Sequence, residues 1–272
     1  GLESSDIFQL RDIVDGKKIL EKAKKIKHIS IIGGGFIGLE IASSSSKFNK
    51  KIVVIENAKQ LMGRSIPLEI AELMLNKHKE NGIDIYLKNN VNFAEKFNDK
   101  YLLKLNDHQK IETEMIIAGI GVEPEIELLK KTNIELNNGI ITDQFCQTSI
   151  TNVFAAGDVC NFYHPFYKKY IRLESWKHAQ DHGIIAGLNM IGEKKIYDQI
   201  PWMWSNQYDL NIQLAGITDD YDNVLKRGSN IDDGIIFFYL KENKIKGVCG
   251  IGKFGKISKD IKLASILSKK EK

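Results

Sequence analysis

Three cysteines are all that the 272 residues contain, and Cys146, Cys160 and Cys249 are too few and too far apart to build a disulfide framework, a CxxC redox pair or a zinc site. They read as structural thiols of a reducing compartment, which makes the cytoplasm the expected location. No apolar run goes much beyond segments such as Ile116 to Val122, far short of the roughly 20 residues that a bilayer-spanning helix needs. A strong charge of one sign is also missing, since 39 lysines and arginines against 35 acids leave only +4. The lysines are spread along solvated helix faces, so neither nucleic acid nor a membrane surface is expected as a partner.

What is present is a globular composition, 43% hydrophobic, with clear periodicities. Residues 18–26 carry alanine and long aliphatic chains at helical spacing, and they lead into the β-branched run His28-Ile29-Ser30-Ile31-Ile32. Phe36 to Lys47 reads as helix and Lys51 to Ile55 as strand, so residues 28–56 make one βαβ unit. Pro67 opens a helix from Leu68 to Asn81 that Gly82 stops in a left-handed cap, and a strand follows at Ile83 to Leu87. From Val91 to Ile111 the pattern shifts to antiparallel hairpins, before Met115 to Ile120 returns to a buried strand. Residues 139–159 hold two more strand candidates and Glu174 to Ile191 a long helix. Beyond Pro201, strands are expected at Ile235 to Leu240 and Lys244 to Val248, with a short lysine-rich helix at the end.

Between the first strand and its helix stands Gly33-Gly34-Gly35-Phe36-Ile37-Gly38, a GxGxxG in the context that gives it meaning. Gly33 permits the tight turn, Gly35 lets a pyrophosphate approach the backbone, and Gly38 lets helix and strand pack closely. The helix N-terminus offers phosphate its unpaired N–H groups and the positive end of its dipole. Glu56 ends the second strand, 18 residues after Gly38, where a carboxylate accepts hydrogen bonds from the adenosine ribose and repels a 2′-phosphate. NADH is therefore expected over NADPH. Arg64 is the candidate phosphate partner nearby.

Asn152 to Val159 reads as a short buried strand ending in Gly157-Asp158. That pair suits hydrogen bonding to the polyol of a flavin, although a surface turn uses the same two residues. Its position decides, because it follows a complete NAD-type unit and precedes the helix from Glu174. The N-terminus of that helix would stabilise negative charge on a reduced isoalloxazine.

Leu10-Arg11, Gly33 to Glu40, Arg64, Gly119 to Pro124, Thr148, Ala155 to Val159, Arg172 to Trp176 and Pro201 to Gly216 together resemble, in register, a known group. It is the ferredoxin-reductase group of the FAD-dependent pyridine nucleotide-disulphide oxidoreductases. The most specific piece is Pro201-Trp202-Met203-Trp204-Ser205-Asn206-Gln207-Tyr208-Asp209. The resemblance implies an α/β fold, with an NAD-binding Rossmann-like domain inserted in an FAD-binding domain of which the C-terminal part is present, then a small α+β domain. The implied boundaries are 1–12 for a linker, 13–125 for the NAD-binding domain, 126–198 for the returning FAD-binding part and 199–272 for the C-terminal reductase domain. Roughly 100 residues, about a small domain, are expected before Gly1.

By the same resemblance, Gly33, Gly34, Gly35, Phe36, Ile37, Gly38, Glu56 and Arg64 fall on the NADH site, and Gly119 and Gly121 close over the same dinucleotide. Gly157, Asp158, Ser175, Trp176 and Trp204 fall on the FAD site, with Thr148 also among the cofactor-binding positions. Glu40 and Trp204 are the implied catalytic pair, the first at the nicotinamide end and the second near the isoalloxazine. The implied activity takes a hydride from NADH to FAD and then single electrons to an iron–sulfur ferredoxin, or a rubredoxin-type protein, that serves an oxygenase. A homodimer is compatible with it. Asn49 and Asn206 stand where the group usually has glycine and aspartate.

Two other readings stay open. A disulfide or peroxide reductase of the same superfamily would have a longer C-terminal segment ending near a His-Pro-x-x-x-Glu base, which the tryptophan-led segment here lacks. A binding protein resembling apoptosis-inducing factor would use the redox domain for interaction. No metal is expected, since the six histidines form no metal-like grouping and His178 and His182, one helical turn apart, read as a packed or solvated pair.

Overall fold

The computed structural model describes residues 2–48, 50–63 and 66–270, so Asn49 and Arg64 lie outside the described residues. Contacts divide the chain into two compact units, Gly1–Gly121 with Ser205–Asn211, and Val122–Trp204 with Ile212–Lys272. In chain order the first unit holds β1 (Ile7–Phe8), α1 (Ile13–Lys25), β2 (His28–Ile32), α2 (Phe36–Ser46), β3 (Lys51–Glu56), α3 (Leu68–Glu80), β4 (Ile83–Leu87), β5 (Val91–Phe97), β6 (Lys100–Leu105), β7 (Lys110–Thr113) and β8 (Met115–Ala118). Strands β1-β8-β2-β3-β4 form a parallel sheet in that order, and β5-β6-β7 an antiparallel one.

The parallel strands are nearly continuous apolar runs because both faces of the sheet are covered. Ile29, Ile31, Val54 and Ile117 are buried, while Val53, Ile55 and Ile116 pack against Leu103, Leu105 and Ile111 of the antiparallel sheet. Each such side chain contributes roughly 1.5–3 kcal/mol by leaving water. Helix α1 begins five residues before the expected residue 18, at Ile13, because Asp12 caps it by accepting from the Val14 and Asp15 N–H groups at 2.8 and 2.9 Å. Its first turn is solvent-facing, with Ile13 and Val14 exposed, so the burial pattern that signals a helix starts only at Ile19. Ile7 and Phe8, inside the stretch read as a linker, add an edge strand parallel to Ile116 and Ile117.

The second unit holds β9 (Ile140–Thr142), β10 (Cys160–His164), β11 (Lys169–Arg172) and α4 (Trp176–Met190). Beyond these come β12 (Trp202–Gln207), β13 (Leu210–Gly216), β14 (Asn223–Arg227), β15 (Ile235–Lys241), β16 (Lys244–Lys253) and α5 (Ser258–Lys270), with the Ser205–Asn211 tip of the β12–β13 hairpin clustering with the first unit. A small sheet runs β11-β10-β9, and a five-stranded sheet runs β12-β13-β16-β15-β14. Ile257, Ile261 and Ala264 cover the larger sheet by packing on Ala215, Ile236 and Val248. Strand β16 is five residues longer than the expected Lys244 to Val248, because Gly250 and Gly252 broke the apolar pattern. They are there for close approach, since a Cβ on Gly252 would come within 3.0 Å of the Gly234 backbone.

The expected strand ending in Gly157-Asp158 is corrected by the structure. Phe154 makes only an isolated antiparallel bridge to Gln147, and the ladder begins after the turn, in β10. The left-handed Asn152, φ 63°, and the Val153 N–H bonded to the Ile150 carbonyl at 3.1 Å bend the chain, which leaves length for one bridge alone. No helix among the described residues is long and apolar enough to cross a membrane.

His178 and His182 form a packed pair on α4, both buried against Phe162 and Tyr197. Burial lowers the His178 pKa to about 4 and the His182 pKa to about 3. Unfolded, each titrates near pH 6.5. Because the folded values are the lower ones, the stability tied to their neutral forms is fully present above about pH 6.5 and is lost as pH falls toward 4 and 3. Thermal melts should drop across that window by up to about 1.4 kcal/mol per pH unit for each histidine. A His178→Asn/His182→Gln protein should show a flatter fall; an unchanged slope would exclude this pair as the acid-sensitive groups.

Candidate functional site

The loop from β2 to α2 contains three kinds of glycine. Gly33 has φ 109°, and a Cβ there would overlap the Gly119 carbonyl oxygen. Its N–H donates to the Ile55 carbonyl at 2.8 Å, fixing the turn to β3. A Cβ on Gly38 would overlap the Gly33 carbonyl oxygen and meet Ile31 Cγ2 at 3.3 Å, so Gly38 sets how closely helix and strand pack. Both are glycine for reasons internal to the protein.

Gly35 is not. Its backbone is extended, with φ −78° and ψ −178°, and among the described residues no atom beyond its chain neighbours lies within 4 Å of where its Cβ would stand. It is the N-cap of α2 with no side-chain cap, so the first N–H groups of that helix have no side-chain acceptor from it. Nothing among the described residues demands a glycine here.

Glu56 closes the other side of the loop. Its Oε2 accepts from the Gly34 N–H and its Oε1 from the Ala58 N–H, both at 2.6 Å, while the Gly34 carbonyl accepts from the Met62 N–H at 3.0 Å. Each carboxylate oxygen retains acceptor capacity toward a hydroxyl. The Gly119 N–H donates to the Ile32 carbonyl at 2.7 Å, and Gly121, φ 109°, stands in open space just beyond β8. Phe36 is half-buried and Ile37 is exposed on the first turn of α2.

Glu40, further along α2, is half-buried. Its Oε1 accepts from the Ser205 hydroxyl at 2.6 Å, and the Asn206 N–H also bonds the carboxylate. Burial raises its pKa, against the opposing pull of those two donors. Ser205 and Gln207, which the sequence marked only as part of the Pro201–Asp209 piece and without a role, are buried around this group together with His78 of α3. The available signal for Ser205 and Gln207 was the alternation in β12, which puts them on one buried face while Trp204 and Asn206 are exposed.

In the second unit, Gly157 has φ 86°, donates its N–H to His182 Nδ1 at 3.2 Å and rests on Ala179 in the first turn of α4. Asp158 is exposed, and its carbonyl accepts from the Arg172 guanidinium at 3.5 Å. Ser175 caps α4 by accepting from the His178 N–H at 3.3 Å and donates its own hydroxyl to the Trp202 carbonyl at 3.1 Å. Trp176 and Trp204 meet edge to face, centroids 6.0 Å apart, and remain 65% and 42% exposed. Thr148 uses its hydroxyl in its own turn, with the Ile150 backbone at 3.2 and 3.3 Å.

Residues 1–183 match the family described as pyridine nucleotide-disulphide oxidoreductase. The chain belongs to that family. Residues 202–270 of this pyridine nucleotide-disulphide oxidoreductase match a second description, reductase C-terminal. Among curated relatives, the 3-phenylpropionate/cinnamic acid dioxygenase ferredoxin–NAD(+) reductase component of Photorhabdus laumondii is 36% identical over 78% of this chain and 54% of its own length. The solved ferredoxin reductase of the CYP199A2 system of Rhodopseudomonas palustris is 28% identical, with TM-score 0.86 over 90% of this chain and 61% of that one. The covalent putidaredoxin reductase–putidaredoxin complex aligns with TM-score 0.89 at 25% identity, over 97% of this chain and 64% of that one. The chain thus spans about half the length of the curated relatives it matches.

Pyridine nucleotide-disulphide oxidoreductases use NAD(H) and FAD. The residues present fit both. The volume over Gly35 and the Glu56 carboxylate suit a dinucleotide, and the exposed indoles of Trp176 and Trp204, apolar area otherwise left in water, suit a flat aromatic ring near the α4 N-terminus.

Proposed function

We propose that this chain is the NADH-handling and flavin-supporting part of a flavoprotein that reduces an iron–sulfur ferredoxin, or a rubredoxin-type protein, for an oxygenase. The observation that carries the reading is Gly35, whose missing side chain has no reason inside the chain and a clear one if a pyrophosphate lies against α2. When bound, FAD converts a two-electron donor into single electrons. The protein's own task is to bind and orient. Glu56 would receive the adenosine ribose, Gly119 and Gly121 would border the dinucleotide, and Glu40 would hold the nicotinamide end. Asp158 would take the flavin polyol, while Ser175, Trp176 and Trp204 would border the ring and exclude water. The names of the relatives support a ferredoxin acceptor.

The cysteines of this chain are structural thiols. Cys146, Cys160 and Cys249 are buried, and burial pushes the first two thiols up to about 12 and the third higher still. A cytoplasmic setting, with the thiols reduced, accompanies this reading. The test is spectroscopic, on a protein of the relatives' full length: with FAD bound, NADH should bleach the flavin absorbance and an added [2Fe–2S] ferredoxin should restore it. A protein that stays colourless after reconstitution, or a flavin that NADH leaves oxidised, would sink the proposal.

A further inference from the structure

Glu40 stands at the end of a run of buried polar groups whose protons can be assigned from one end to the other. In its ionised form the Glu40 carboxylate only accepts, so the Ser205 hydroxyl, 2.6 Å from Oε1, then donates to it. Having donated its proton, Ser205 Oγ must receive from Gln207, which fixes the amide with Nε2 toward Ser205, at 3.1 Å, and Oε1 toward His78. Gln207 Oε1 only accepts, so the proton of His78 is on Nε2, 2.8 Å away. Burial lowers the His78 pKa and keeps it neutral, so its Nδ1 must accept, and the Tyr208 hydroxyl at 2.9 Å donates to it. Four donors in succession point the same way.

The geometry points to a one-way hydrogen-bond chain, Tyr208 to His78 to Gln207 to Ser205 to Glu40, that pins the Glu40 carboxylate in a single orientation and makes Ser205 and His78 positioning residues for it. Chains of this kind polarise each bond in turn, so the last donor is stronger than an isolated serine hydroxyl. The members have few alternatives. Ser205, Gln207 and His78 are fully buried, and among the described residues the Gln207 amide nitrogen has one further contact, Met62 Sδ at 3.8 Å. Buried groups cut off from their partners lose a hydrogen bond that water cannot replace.

This inference rests on the reading that Glu40 meets the nicotinamide end, and the experiment separates the two. Affinities for NADH and for ADP-ribose, which lacks the nicotinamide, are measured by calorimetry on the full chain; retained ADP-ribose binding also reports an intact fold. Ser205→Ala and His78→Phe should each weaken NADH relative to ADP-ribose by about three- to tenfold, the worth of one hydrogen bond. Either change made on top of Glu40→Ala should add nothing to that ratio. Should Glu40→Ala itself leave the ratio unchanged, the nicotinamide reading fails. Should Glu40→Ala shift it while Ser205→Ala and His78→Phe do not, or shift it equally with and without Glu40, the chain is overturned. If His78→Phe loses ADP-ribose binding, His78→Gln takes its place under the same criteria.

Discussion

Gly33→Ala should unfold the glycine turn, while Gly35→Ala should leave it folded and weaken its binding of NADH. The two residues are neighbours in one motif, yet their surroundings differ in kind. At Gly33 an alanine would meet φ 109° and the Gly119 carbonyl oxygen at once, and both are backbone, so neither yields cheaply. Positive φ and a forced backbone shift together predict a loss of roughly 3–5 kcal/mol in stability. At Gly35 the backbone is extended and the Cβ enters open volume, so urea denaturation should place Gly35→Ala within about 0.5 kcal/mol of the parent. NADH titration should nonetheless show affinity lower by tenfold or more, about 1.4 kcal/mol, because the methyl occupies the ligand's place. Equal stability of the two variants, or undiminished NADH binding by Gly35→Ala, would refute this division of roles.

Glu56→Gln should lower NADH affinity and narrow the preference over NADPH. An amide has one accepting oxygen, whereas the carboxylate receives N–H groups from Gly34 and Ala58 on its two oxygens. One of those contacts would therefore become donor against donor. Hydrogen bonds to a charged group are worth about 1.5–3 kcal/mol, so NADH binding should fall by tenfold or more as the loop loosens. NADPH should lose less, since the negative charge that repels its 2′-phosphate has gone. The NADPH-to-NADH ratio of dissociation constants should therefore shrink on the order of tenfold. A ratio that does not change would remove Glu56 from nucleotide selection.

Most of the first unit was legible because its signals are local. The βαβ unit from β2 to β3 was marked by β-branched runs and by glycines at GxGxxG spacing, although the neighbour that requires Gly33 is Gly119, far along the chain. Helix α3 was bounded by Pro67 and by Gly82 with φ 76°. The parts that were hidden depend on distant contacts or contrary composition. The start of α1 faces solvent and carries a glycine, so only its Asp12 cap marks it. The Gly157-Asp158 segment looks like a strand in composition, but a left-handed Asn152 allows it a single bridge. At the site, the glycines and Glu56 could be read from spacing. The partner of Glu40 could not, because Ser205 lies 165 residues away and neither residue type is unusual where it stands.

Gly34 is gripped from both sides, its N–H by Glu56 and its carbonyl by the Met62 N–H. The floor of the proposed nucleotide cradle is thus held by the protein's own hydrogen bonds. The entropy of ordering that loop was lost on folding, so an arriving dinucleotide need only surrender its own freedom, and more of its contact energy appears as affinity.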